Sequence, residues 1–258
     1  MIGPVVLVTV ARVEGSGPRE VGAWMAVSGT ETRGTVGGGH LEFDAIARAR
    51  AALAGDALDE EVRYPLGPSL GQCCGGVVWL RFERRDQPPP EPRVPVALFG
   101  GGHVGQALVR VLEALNFDLH WIDSREGVFP ADVKARLEHA DPVQDAVPDL
   151  APGSHVVIMS FSHAEDLDIL AAVLRRQREQ RDLAFIGLIG SRTKWARFRH
   201  RLEERGFTAE ELAQVHCPIG WPGLPGKRPE QIAVAIATQL LAEPTLARDV
   251  LAPGSSSA

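Results

Sequence analysis

The chain has 258 residues and only three cysteines, two of them adjacent. That is too few for a disulfide framework, so a reducing cytoplasm is the simplest setting. Long apolar runs are also scarce. The longest, residues 4–11 and 232–242, fall well short of the roughly 20 residues of a membrane-spanning helix. No basic stretch opens the chain as in a signal peptide, and a membrane is not expected as a partner. Positive charge is in deficit: 27 Lys and Arg against 33 Asp and Glu give a net charge of −6, a field that opposes nucleic acid as well. No repeat of 20 to 50 residues is visible. What remains is a balanced globular composition, 45% hydrophobic and 23% charged, in a chain long enough for two cores.

Five prolines fall in residues 86–95, DQPPPEPRVP, a stretch that supports neither helix nor inner strand. It reads as a linker between an N-terminal α+β domain, residues 1–85, and a Rossmann-like parallel-sheet domain, residues 96–228. Residues 229–250 form a last helix that could pack back on the first domain, and 251–258 a tail. Before the linker, the Val-rich runs 5–10, 24–27 and 77–82 predict strands. Leu41, Ala45, Ile46, Ala49 and Leu53 predict a helix over 41–53 that Gly55 stops. After it, runs 96–99, 119–122, 156–161 and 185–189 alternate with helical stripes: Val104 to Leu115, then 166–176, then 191–204 with Ser191 as N-cap. Thr208 and Glu211 form a capping-box pair.

One string occurs twice, each time ahead of a predicted helix: Gly37-Gly38-Gly39-His40 and Gly100-Gly101-Gly102-His103. In the second copy Gly100, Gly102 and Gly105 fit G-x-G-x-x-G between a strand and a helix, with Asp123 ending the next strand. That context is required of a dinucleotide site. Asp123 would take ribose hydroxyls and Arg125 an extra phosphate, so NAD and NADP both stay open, as does a Rossmann fold whose site is reused. The first copy has Glu42 at the sixth position. It is therefore a glycine-rich helix entry suited to a phosphate, with His40 as a further donor, or else a tight turn into a packed helix.

Cys73 and Cys74, bracketed by Gln72 and Gly75-Gly76, offer soft thiolates suited to molybdenum, copper, zinc or persulfide chemistry. They lack the spacing of structural zinc, and two inert buried thiols are the alternative. Ser162 and His163 follow a buried strand at the sheet's carboxyl edge, where α/β proteins bind ligands, and Ser162 also suits an N-cap. The loop around His216 and Cys217 is rich in Gly and Pro, as functional loops often are. Arg192, Lys194, Arg197, Arg199, Arg201 and Arg205 make the segment after Ser191 basic, for a phosphate, a protein or plain solvation.

Taken together, GSGPREVGAWM (15–25), GTVGGGHLE (34–42), LGPSLGQCCGG (66–76), FGGGHVGQALV (99–109) and HCPIGWPGLPGKRPEQIAVAIA (216–237) resemble the XdhC family of xanthine dehydrogenase accessory proteins, in order and spacing. The double cysteine is similar to the xanthine dehydrogenase branch. The resemblance implies a cofactor chaperone without small-substrate turnover. It would receive molybdenum cofactor from the biosynthesis proteins, protect it, present it to a cysteine desulfurase for oxo-to-sulfido exchange, and pass it to apo-xanthine dehydrogenase. One departure stands out: the family's T-H-x-H reads Ser160-Phe161-Ser162-His163 here, losing one histidine.

The expected protein is thus a cytoplasmic homodimer with molybdenum cofactor as cargo and Cys73 and Cys74 on the metal. Its cofactor contacts would be Gly37, Gly38, Gly39, His40, Gly100, Gly102, His103, Gly105, Asp123, Arg125, His163 and Ser191. The rival readings are an NAD(P)-dependent oxidoreductase and a nucleotide-sensing interaction module, both resting on the second glycine motif.

Overall fold

The computed structural model describes residues 3–66, 75–90, 93–224 and 226–243. The chain divides into two compact units, Met1–Pro90 and Glu91–Ala258.

The first unit is an antiparallel sheet with one long helix. Its strands are β1 (Val5–Glu14), β2 (Trp24–Val27), β3 (Thr32–Gly34), β4 (Glu61–Pro65) and β5 (Val77–Arg85), in the order β3-β2-β1-β5-β4. Strand alternation turns Val6, Val8 and Val10 to one face. There they meet Met25, Val27, Val78, Leu80 and Phe82, together with Leu41, Ala45, Ala49 and Ala52 of helix α1 (Gly39–Leu53). Small alanines let the helix lie close on the sheet, and each buried Leu, Val or Phe contributes about 1.5–3 kcal/mol. β1 runs four residues past its apolar core because a bulge between Val10 and Arg12 keeps it paired to β5.

The second unit is wholly parallel. Strands β6 (Val94–Phe99), β7 (Phe117–Asp123), β8 (Arg136–His139), β9 (His155–Ile158), β10 (Phe185–Leu188) and β11 (Val215–His216) lie in the order β11-β10-β9-β6-β7-β8. Numbered within the unit this is 3-2-1-4-5-6, the doubly wound arrangement whose strand order reverses between β6 and β9. The inner strands are buried on both sides. Val96, Leu98 and Trp121 face helices α2 (His103–Leu112) and α6 (Pro229–Ala242), while Phe99, Ile122 and Ile158 face α3 (His163–Gln180) and α4 (Arg192–Glu204). A short helix α5 (Ala209–Leu212) carries the Thr208–Glu211 capping box.

The last helix packs within the second unit. Ala233, Ile236, Ala237 and Leu240 of α6 share a core with Leu108, Val109 and Leu112 of α2, so its apolar stripe is taken up inside the second unit. No helix among the described residues is long and apolar enough to cross a membrane.

Candidate functional site

The two glycine turns lie in different units and differ in build. In the second unit Gly100 leaves β6 with φ +119°, and a Cβ there would lie 2.1 Å from the Met159 carbonyl oxygen, so no other residue fits. The polar groups of Gly100 and Gly101 are met from within. The Gly100 amide donates to the Ile122 carbonyl at 2.8 Å, and the Trp121 indole donates to the Gly100 carbonyl at 3.0 Å. The Gln106 side chain reaches the Gly101 carbonyl at 3.3 Å. Gly105 brings α2 so close that a Cβ would fall 2.2 Å from the Gly100 oxygen.

The Gly101 amide donates to Asp123 Oδ2 at 2.6 Å. The same oxygen receives Arg125 Nη2 at 2.8 Å, while Oδ1 receives the Arg125 amide and Nε, each at 2.9 Å. Burial pushes the Asp123 carboxyl up, but these hydrogen bonds outweigh it and hold it below the usual carboxylate range; the Arg125 guanidinium is raised by the same pair. The side chain of Asp123 is 2% exposed. Arg125 lies over the exposed Phe161 ring at 5.1 Å, and its neighbour Ser124 donates to Glu165 Oε1 at 2.6 Å. Asp123 and Arg125, read from sequence as two separate ligand contacts, are thus bound to each other.

The remaining candidates of this unit share the carboxyl edge of the sheet but not one cluster. His103 opens α2 and His163 opens α3, both exposed. Ser191 is spent as the N-cap of α4, accepting from the Lys194 amide at 3.1 Å. Between them lies an ion pair that sequence reasoning missed: Lys194 Nζ on Asp166 Oδ2 at 2.5 Å, with the Ser160 amide and hydroxyl on Oδ1, each at 2.8 Å. Its partners lie 28 residues apart, and no spacing rule reaches that far. Cys217, beside β11, is half-buried, and burial pushes its thiol up to about 11. It is therefore a poor nucleophile near neutral pH.

In the first unit the turn is capped by the chain itself. Glu42 Oε2 accepts from the Val36 amide at 3.1 Å, the Gly38 amide at 3.2 Å and the Thr35 hydroxyl. The residue that breaks the dinucleotide pattern is the one that ties this turn down. His40 is exposed on the first turn of α1. Residues 14–19 touch the turn on one side and Gly76 on the other. Pro18 packs on Gly37, where a Cβ would fall 2.3 Å from the proline ring, and Arg19 donates to the Thr35 carbonyl at 3.4 Å. Gly76 lies so close to residues 14–16 that a Cβ would sit 2.3 Å from the Ser16 oxygen, and its own carbonyl accepts from the Leu66 amide at 2.7 Å. Cys73 and Cys74 lie outside the described residues. Among the described residues no group of three or more His, Cys, Asp or Glu is placed to hold a metal ion.

Does the second unit fit the dinucleotide its fold implies? A ribose diol needs open acceptor sites on Asp123, and a carboxylate offers about four, all met here by Gly101 and Arg125. The Val128 side chain packs on the turn, within 2.8 Å of where a Gly101 Cβ would stand. The residues as arranged do not fit the group.

Comparison with known proteins came to consistent results. The chain matches the model of the XdhC Rossmann domain over residues 96–240 and that of the XdhC and CoxI family over residues 3–65. It is 26% identical over 250 residues to YqeB of Escherichia coli K12, covering 92% of this chain but 43% of that protein's length, so it spans under half of that relative. It is 25% identical over 265 residues to a second protein of that organism, the molybdenum cofactor insertion chaperone PaoD, covering 83% of this chain and 76% of the relative. Among solved structures, a Bacillus halodurans protein described as a xanthine dehydrogenase has the same fold, with a TM-score of 0.75 at 20% identity over 99% of this chain and 94% of that one.

Proposed function

The chain belongs to the XdhC family, and on that premise we propose that it is a molybdenum cofactor chaperone. In this reading it binds the finished cofactor, shields it from oxidation, presents it to a cysteine desulfurase, and delivers it to apo-xanthine dehydrogenase. It carries its cargo and turns over no small substrate. The kinship with PaoD supports the reading.

The observation that carries it is the meeting of three segments in the first unit. Residues 14–19 touch the glycine turn with Glu42 on one side and Gly76, bonded to Leu66, on the other. Gly75 follows Cys74 directly in the chain. The proposed roles are therefore metal contact for the thiolates of Cys73 and Cys74, and phosphate contact for the residues from Gly37 to His40, with Glu42 giving up the turn as the phosphate arrives.

The test is molybdenum and pterin content per chain, after anaerobic purification from a host that makes the cofactor and from one blocked in its synthesis. The expected result is near-stoichiometric, synthesis-dependent loading, lost in Cys73→Ser and Cys74→Ser while the fold is retained. Equal metal content from both hosts would overturn the function. Full retention in the double variant would overturn the cysteine assignment alone.

A further inference from the structure

The second unit has the strand order, the glycine turn and the strand-end acid of a dinucleotide site, yet its side chains are already engaged with one another. Asp123 holds four donors from the turn and from Arg125. The Arg125 contacts pair opposite charges and are bidentate, which a neutral ribose hydroxyl does not replace. Arg125 is not free for a 2′-phosphate either, since Nε and Nη2 are both on Asp123 and its guanidinium rests over Phe161. Val128 sits on the turn at Gly101. Ser124 follows β7, Glu165 is in the first turn of the helix after β9, and β6 lies between those strands; their 2.6 Å bond therefore spans the exit of β6, where a pyrophosphate would cross.

We infer that the crevice of the second unit is closed by its own side chains, with Asp123 serving as the internal ligand of the glycine turn, and that neither NAD nor NADP binds there. A ligand-binding acid and a turn-holding acid make opposite demands. The first is dispensable for folding and essential for the nucleotide; the second is essential for the turn and indifferent to the nucleotide.

The experiment is a fluorescence titration of the full chain with NADH and with NADPH to about 1 mM, beside thermal unfolding of wild type, Asp123→Asn and Arg125→Ala. The expected result is no saturable binding of either nucleotide, with the unfolding of the second unit lowered by about 5 °C in Asp123→Asn and by less in Arg125→Ala. Saturable binding of one nucleotide per wild-type chain would overturn the inference, as would unfolding temperatures of both variants within about 1 °C of wild type. Should Asp123→Asn fail to fold, Arg125→Ala removes the same pair while leaving the carboxylate on Gly101. Molybdenum retention is read separately, so failure here and failure of the chaperone reading are distinguishable.

Discussion

The same four letters, Gly-Gly-Gly-His, open a helix in each unit, and the two turns reach one end by different routes. In the first unit the helix begins at the third glycine, with Gly38 as N-cap at φ 73°. In the second it begins one residue later, with Gly102 as N-cap at φ −71°. Both turns engage a carboxylate of their own chain. Glu42 comes from within the helix it caps and reaches back four residues, whereas Asp123 comes from the neighbouring strand, 22 residues away. A local cap needs only its helix; a strand-borne cap needs the whole sheet in register. Identical strings therefore carry no common function here: their surroundings decide which amides are spent.

The largest effect should come from asking each turn to take a methyl group. In Gly100→Ala the new Cβ meets the Met159 carbonyl oxygen, which is held by the β6–β9 pairing, in a backbone conformation that already penalises any side chain. A loss of about 3–5 kcal/mol is expected. In Gly37→Ala, where φ is +135°, the Cβ meets side-chain atoms of Pro18 and Leu41 rather than backbone, and about 2 kcal/mol is expected. Urea unfolding of both variants checks the order. Equal losses would mean that the first turn is as rigidly framed as the second.

A middle-sized effect should come from removing the local cap. Glu42→Ala leaves the amides of Val36 and Gly38 and the Thr35 hydroxyl without their acceptor, at a cost of about 1–2 kcal/mol. Because the variant also clears an anion from the turn, cofactor retention should rise rather than fall. A drop in molybdenum content with the fold intact would break the idea that Glu42 competes with the cargo phosphate.

Much of this fold was legible in the chain. β2 has the predicted ends, and Ser191 and the Thr208–Glu211 pair cap the helices expected of them. Such features depend on residues within a few positions of one another. β3, β4, β8 and β11 went unseen because edge strands such as Glu61–Pro65 and Arg136–His139 bury little and show no apolar run. The two glycine turns were legible as to place, but their polar partners were not. Asp123 and Arg125 were singled out as ligand contacts, yet nothing in a linear spacing says that they bind each other. Glu42 was noticed only as a glycine that was missing. Polar pairing is a property of three dimensions, and the sequence supplies only its members.

The smallest effect discriminates best, because it changes sign between the turns. Serine is a better N-cap than glycine wherever the backbone is extended, since its hydroxyl accepts from an amide of the first turn. Gly102 has that backbone, no side-chain cap, and nothing within 4 Å of a Cβ, so Gly102→Ser should stabilise the second unit by about 0.5 kcal/mol. Gly38 has equally open space but a left-handed backbone, so Gly38→Ser should destabilise the first unit by about 1 kcal/mol. Two shifts of the same sign would mean that the caps are alike in solution. Opposite shifts would place the difference between the turns in a single backbone dihedral, the one feature that four shared letters do not encode.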